Sequence, residues 1–420
     1  MRINLRQPIE VNQAIKLVIN SCKLTTTETV DLDHAYGKIL AEPIIAKHDV
    51  PPFNRSAYDG FAIRAEDSFH ASVGEPVEFR VIGEIGAGHL GERPIGKYEA
   101  YRIMTGAITP ENANAVVMLE ETTETKAGFL ITKSYQVDDN ISFKGEDAEI
   151  GEQLIAAGNV IHPGTIALLA TFGYAKVKVA KSPFVSIIST GTELLDVSDD
   201  LKPGKIRNSN GPMLMGQLER MGIPFQSFGM MEDDLDACTN IVEEALEKSD
   251  IVMTTGGVSV GDFDYLPEIY RRLGAEVLFN KVSMRPGSVT TVAVLGDKLL
   301  FGLSGNPSAC FTGFELFARP AILTMMGSKQ PYLPRIKAML GEDFTKANPF
   351  TRFVRAIWTM GPKKPIVVPA GFNKSNAVSS IARGNGIIVL PKGSEGYVAG
   401  DEVDVLLLGQ EQGVEYWELE

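Results

Sequence analysis

Cysteine is scarce in this sequence and poorly spaced for metal binding. Cys22, Cys238 and Cys310 are an odd number, far apart, and none falls in a C-x-x-C spacing. They read as core thiols of a reducing compartment, not as zinc ligands. Histidine is equally thin: His34, His48, His70, His89 and His162 are scattered, with no H-E-x-x-H or related spacing. That leaves no candidate for a histidine metal cage or a Ser-His-Asp triad. Also lacking are an apolar signal core after Met1-Arg2-Ile3-Asn4-Leu5-Arg6-Gln7-Pro8 and any run near the roughly 18 apolar residues that span a bilayer. A cytoplasmic protein is expected. Positive charge is in deficit: the formal net charge of −13 sets the surface against nucleic acid and anionic membrane. A local basic pocket can still receive an anionic substrate.

What is present suits a globular protein, with 44% hydrophobic and 22% charged residues, so disorder is not the default. A chain of 420 residues exceeds one compact core and predicts about three or four domains. Helical spacing at Ile9, Val11, Ala14, Ile15, Val18 and Ile19 opens the chain. The run Val50-Pro51-Pro52-Phe53-Asn54-Arg55-Ser56-Ala57-Tyr58-Asp59-Gly60 then forbids helix and reads as an ordered loop or hinge. Strand-like runs broken by Gly and Pro follow, from Glu78 to Val137. Residues 182 to 327 alternate strand and helix with short connections, which predicts a three-layer α/β domain with a mostly parallel sheet. Short strands between Gly and Pro turns return after Pro331. The expected fold is therefore multidomain α/β plus β. It comprises a discontinuous mixed domain (1–45 and 145–181), a β-rich insertion domain (46–144), the central α/β domain (182–328) and a small C-terminal β-barrel or sandwich (329–420).

In an open parallel sheet, ligands bind outside the carboxyl ends of the strands, and four glycine-bearing loops are expected there. Thr254-Thr255-Gly256-Gly257-Val258-Ser259-Val260-Gly261-Asp262-Phe263-Asp264 follows the apolar run Ile251-Val252-Met253. Its glycines allow close main-chain approach, its free amides suit phosphate, and its carboxylates suit a hard cation such as Mg²⁺. A solvated loop whose Asp residues cap the next helix is the plainer alternative. Ser189-Thr190-Gly191-Thr192-Glu193 offers another carboxylate, readable also as an acid at a helix start. Leu303-Ser304-Gly305-Asn306-Pro307-Ser308-Ala309 precedes a helix, where capping alone would explain its residues. Lys281-Val282-Ser283-Met284-Arg285-Pro286-Gly287-Ser288 brings two cations beside a Pro-Gly turn.

These loops, with Asn54 to Ala62, Arg102-Ile103-Met104-Thr105-Gly106-Ala107 and Lys144-Gly145-Glu146-Asp147, resemble the molybdopterin molybdenumtransferases, the molybdenum insertases related to the gephyrin E domain. The resemblance covers nearly the whole chain with motifs in order. It implies insertion of molybdate into adenylyl-molybdopterin, releasing AMP and molybdenum cofactor, in a Mg²⁺-dependent homodimer with the site at the subunit interface. Molybdopterin adenylyltransferase, which resembles residues 182 to 327 alone, is the alternative enzyme and a possible partner. A non-catalytic scaffold of the same fold is the alternative of another class.

Carried over by resemblance, Glu193 and Asp264 look like the Mg²⁺ and nucleotide-phosphate carboxylates, with Gly191, Gly256 and Gly257 giving close backbone approach. Asp233 and Asp234 match an acidic pair near the nucleotide, and Ser304-Gly305-Asn306-Pro307 matches a cofactor-binding turn. Asp59, Thr105 and Asp147 match polar residues needed for activity. Lys281 and Arg285 match a cationic loop near pterin phosphate and molybdate, which Arg355 and Ser379 or Ser380 face, with Arg383 a further candidate; Asp262 is expected only to support its turn. Three departures stand out. Arg285-Pro286-Gly287-Ser288-Val289 replaces Lys-Pro-Gly-Lys-Pro, Asn306-Pro307-Ser308-Ala309 replaces Asn-Pro-Val-Ser, and an acid is absent at Asn208-Ser209-Asn210. Arg for Lys keeps the charge but not its point geometry, and Ser288 removes a charge.

Overall fold

The computed structural model describes residues 7–231, 234–256, 266–345 and 347–409. Asp233, Gly257, Asp262 and Asp264, expected above to bear on the site, lie outside the described residues. The chain divides into two compact units, one of Pro43–Ala156 with Gly164–Ala175, the other of Met1–Glu42, Ala157–Pro163 and Lys176–Glu420. The opening residues pair with the stretch after 150 twice. Thr27–Asp31 lies antiparallel to Lys176–Ala180 in one unit, and Ile44–Ile45 antiparallel to Gln153–Ile155 in the other.

In the first-named unit, six strands form one mixed sheet in the order Ala115–Met118, Gly60–Ile63, Glu99–Ile103, Val77–Ile85, Gly128–Ile131, Thr123–Glu124. Gly60–Ile63 is buried along its whole length because the sheet curls and both faces are covered. Phe61 and Ile63 join one cluster and Ala62 another. Phe61, Phe129 and Phe79 stack in the first cluster, with ring centroids 3.9 and 5.5 Å apart. Gly60 cannot be replaced without a clash, since a Cβ there would lie 1.9 Å from the Val117 carbonyl oxygen.

The α/β sheet runs Phe225–Met231, Val185–Thr190, Ile251–Thr255, Lys298–Leu303, Thr291–Leu295, Glu276–Phe279. The first four strands are mutually parallel, Thr291–Leu295 runs against both its neighbours, and the edge strand Glu276–Phe279 again runs with the first four. The period of two sorts the central strands onto two layers. Val185, Ile187, Ile251, Met253, Leu299 and Phe301 pack toward the helices Asn210–Arg220 and 307–325, while Ile188, Val252 and Leu300 pack toward Leu235–Lys248 and Leu266–Leu273. Ala14 and Val18 of the first helix, Val11–Asn20, join the former layer. The helix over 307–325 is continuous but widens to a π turn at Phe314–Ala318, one residue before the Arg319-Pro320 pair. A proline nitrogen has no N–H to donate, and a local change of helical repeat accommodates that loss.

The C-terminal strands close on themselves. Arg335–Leu340, Pro365–Pro369, Thr351–Met360, Gly386–Leu390 and Glu402–Leu407 pair in a ring, a five-stranded barrel around Val354, Val367, Ile388 and Val405. One further pairing ties the barrel to the α/β domain: Met284–Arg285 lies parallel to Thr351 and Arg352. Among the described residues, no helix is long and apolar enough to cross a membrane.

Candidate active site

Parallel register brings three of the four loops side by side. Ser189 is level with Thr255, and Thr255 with Leu303, so the turns that follow leave the sheet at one edge. Gly256 has φ +87°, and a Cβ on it would lie 2.3 Å from the Thr190 carbonyl oxygen. Only glycine fits. Gly305 lies beside it in ordinary contact, its notional Cβ 3.6 Å from Gly256 Cα. Two asparagines fasten the edge: Asn208 Nδ2 donates to Ser189 Oγ at 3.0 Å, and Asn210 Nδ2 to the Gly305 carbonyl at 2.9 Å. Asn208 Oδ1 also accepts from Gly211 N at 3.1 Å. Asn208 and Asn210 make these contacts in the stretch where the expected acid is absent.

Glu193 is exposed and leads into the short strand Leu194–Leu195, paired with Ile206–Arg207. Its carboxylate folds toward the Gly191 α-carbon, where a Cβ would meet Oε2 at 2.7 Å. The helix-start explanation for this acid is therefore removed. For Asp234 the reverse holds: its Oδ1 accepts from Ala237 N at 2.8 Å and caps the helix Leu235–Lys248.

The fourth loop lines a cavity of about 590 Å³ with the barrel. Around it stand Arg285, Arg352, Arg355 and Lys374, with Ser304, Asn306 and Asn373, and no acidic residue lines it among the described residues. Arg355 is 1% exposed. Its Nε donates to Ser380 Oγ at 3.2 Å and its Nη2 to the Lys374 carbonyl at 3.1 Å. Burial pulls its pKa down to about 10, and the guanidinium stays charged at neutral pH. Burial also lowers the pKa of Arg352, with the positive charge of Arg285 adding to the effect. The helix over 307–325 reaches this region through Ser308, whose N–H donates to the Ser375 carbonyl (3.0 Å) and whose hydroxyl donates to that of Ala377 (2.6 Å).

The expected residues are thus partly brought together. Arg285, Ser304, Asn306 and Arg355 line the cavity, and Pro307 begins the helix behind it. Ser380 is fully buried behind Arg355, while exposed Ser379 starts a short helix and is not in the lining. Lys281 is half-buried, gives its carbonyl to Ile9 N and does not line the cavity. Arg383 lines a different cavity with Arg220. Sequence reasoning missed Arg352, Asn373 and Lys374. A cation three residues before Arg355 in the same strand was the available signal for Arg352.

In the smaller unit, Asp59 and Thr105 meet. Asp59 Oδ1 accepts from Thr105 N at 2.7 Å and from Thr105 Oγ1 at 2.9 Å. The main-chain bond first, then the hydroxyl, hold its carboxyl below the usual range, and Arg102 helps. Asp147 is exposed, and its N–H donates to the Val50 carbonyl at 3.0 Å. Among the described residues, no group of three His, Cys, Asp or Glu is placed to hold a metal ion.

Three family models account for most of the chain: the MoeA N-terminal region, domains I and II, over residues 9–173; a probable molybdopterin binding domain over 186–324; and the MoeA C-terminal region, domain IV, over 337–408. A molybdopterin molybdenumtransferase of Staphylococcus aureus is 54% identical over 97% of both chains, and one of Staphylococcus epidermidis is 52% identical over the same shares. The crystal structure of the molybdopterin biosynthesis moeA protein of Pyrococcus horikoshii matches 96% of this chain and 100% of its own, at 32% identity and a TM-score of 0.84. The loops at the sheet edge and the arginine-lined cavity therefore belong to a member of the molybdopterin molybdenumtransferase family, transferases of molybdenum cofactor biosynthesis.

Proposed function

We propose that this chain catalyses the Mg²⁺-dependent reaction of adenylyl-molybdopterin with molybdate, giving molybdenum cofactor and AMP, as a homodimer with its active site at the subunit interface. The observation that carries the reading is the cavity of Arg285, Arg352, Arg355 and Lys374, free of acids among the described residues and sharing Ser304 and Asn306 with the sheet-edge loops. Such a pocket favours a doubly charged oxyanion, because each cation interacts with both charges and the partly dry walls weaken screening. Molybdate is that substrate. The turns at Gly191, Gly256 and Gly305 suit close approach of a phosphate chain to the backbone.

Glu193 is an exposed hard-oxygen donor beside those turns. With Asp264 it gives two carboxylates, the number Mg²⁺ commonly takes from a protein when substrate phosphate and water complete its shell. Bound there, Mg²⁺ would neutralise charge on the phosphoanhydride. Arg355, fixed by Ser380 and the Lys374 carbonyl, holds and orients the incoming dianion. Asp59 stays ionised and is positioned by Thr105 to orient a water or an oxyanion oxygen.

The test is AMP release by the purified protein given adenylyl-molybdopterin, Mg²⁺ and molybdate, with Glu193→Ala alongside. AMP release that requires molybdate and is lost in the folded variant supports the reading. Turnover of ATP with molybdopterin instead, or a fully active Glu193→Ala, overturns it.

A further inference from the structure

Arg352 is held differently from an ordinary surface cation. Its Nε donates to Asn348 Oδ1 at 2.8 Å, and its guanidinium carbon lies 5.4 Å from the centre of the Phe344 ring. Asn348 is itself locked. It is 1% exposed, its Nδ2 donates to Ser394 Oγ at 2.8 Å, its N–H donates to the Ser394 carbonyl at 2.9 Å, and its carbonyl accepts from Gly393 N at 2.7 Å. The edge of the guanidinium is thereby fixed by an amide that cannot turn, and one face is covered by an aromatic ring. Arg355 is anchored in the same manner, through Nε to buried Ser380. Both side chains line the same cavity, alongside Arg285.

We propose that Arg352 is a specificity-determining residue for the oxyanion bound in this cavity, where its pre-set fork selects a tetrahedral dianion over a monoanion of the same shape. The inference rests on the reading of the cavity as the molybdate pocket. A dianion interacts with each neighbouring cation about twice as strongly as a monoanion does. Three guanidinium groups in one partly buried pocket therefore make selectivity steep, and deleting one charge costs the dianion more. A fixed fork adds paired N–H donors, which a lysine cannot reproduce.

The experiment is equilibrium dialysis or calorimetry of the full chain with sodium molybdate and with sodium perrhenate, a tetrahedral monoanion. Wild type, Arg352→Gln, Arg352→Lys and Arg355→Gln are compared after circular dichroism and melting curves have shown them folded. Arg352→Gln is expected to weaken molybdate about tenfold or more and perrhenate by roughly threefold or less, with Arg352→Lys between wild type and Gln for molybdate. Should Arg352→Gln not fold, the Lys variant carries the comparison, with the ratio of the two affinities as readout. A purely structural role would shift both anions together, and that result overturns the proposal. If Arg355→Gln abolishes molybdate binding while the Arg352 variants change neither anion, the proposal fails and the cavity reading stands. If wild type binds no molybdate, or Arg355→Gln binds it unchanged, the cavity reading fails as well.

Discussion

Arg285 and Arg352 are register partners, set level by the parallel pairing of Met284–Arg285 with Thr351 and Arg352. Each guanidinium lies over an aromatic ring, Arg285 over Phe350 and Arg352 over Phe344, both at 5.4 Å. Two like charges held this way repel in the absence of an anion, and the Arg352 pKa is lowered partly for that reason. We expect Arg352→Gln to change the anion-free stability by no more than about 1 kcal/mol, because relief of the repulsion from Arg285 offsets loss of the bond to buried Asn348 and of the Phe344 contact. Molybdate at a hundredfold excess over its Kd should stabilise wild type by about 2.7 kcal/mol, and at the same concentration should stabilise the variant less. Melting curves with and without molybdate check this, and equal stabilisation of both proteins would contradict it.

Gly256 tests the sheet edge. With φ at +87° and the Thr190 carbonyl 2.3 Å from a notional Cβ, Gly256→Ala suffers both backbone strain and a clash with main chain. A loss of at least about 2 kcal/mol in urea unfolding is expected. Gly37, at φ +76° but with nothing within 4 Å of its notional Cβ, is the control. Gly37→Ala should cost only about 1 kcal/mol. Equal losses at the two positions would show that the crowding at Gly256 relaxes away.

The Asp59–Thr105 pair carries a pH signature. Because the folded pKa is depressed, Asp59 stays ionised below the ordinary aspartate value of about 3.9. Its contribution to stability is present above that value and is lost as pH falls through the lower folded one. Thr105→Val removes the hydroxyl bond but keeps the main-chain N–H bond, the larger cause, so the pKa should rise part of the way and the acid limb of activity should move up with it. Carboxyl carbon NMR reads the pKa directly. An unchanged Asp59 in Thr105→Val would refute the account.

Much of this was legible in the sequence, and the remainder has identifiable physical causes. Runs such as Ile251-Val252-Met253 are apolar at every position because a central parallel strand is covered on both faces, so the α/β layer order could be read directly. Gly256 stood out for the reason that the structure gives, close main-chain approach, whereas Gly191 is crowded by the Glu193 carboxylate. A small barrel or sandwich was legible in the C-terminal strands, but which edges meet to close the barrel was not, because short strands between turns carry no mark of their partners. Nor was the parallel pairing of 284–285 with 351–352, a contact across more than sixty residues that delivers Arg285 to the barrel. Arg352 was overlooked on that account. Glu193 was readable as an acid at a helix start, and only the strand that follows it removes that reading; Asp234 was carried over as one of an acidic pair, and the structure shows it capping a helix.

Glu315 lies at the π turn with its side chain fully buried. Its Oε1 accepts from Gln217 Nε2 at 2.8 Å and Arg220 Nη2 at 2.6 Å, while Arg319 Nε approaches Oε2 at 4.0 Å. A carboxylate taken fully out of water is tolerable only with such partners. Arg220→Ala removes the closest cation and leaves the carboxylate largely uncompensated, so a loss of about 3–5 kcal/mol is expected. Replacing both members at once should be far milder, because no charge is then stranded. Arg220→Met with Glu315→Leu is expected to recover most of the loss, since apolar side chains of similar volume suit the surrounding Leu316, Phe317 and Leu218. Urea unfolding of Arg220→Met, Glu315→Leu and the double variant, with Arg220→Ala alongside, reads the coupling. If the single Arg220 variant costs under about 1 kcal/mol, or the double costs the sum of the two singles, the carboxylate is compensated by something other than Arg220.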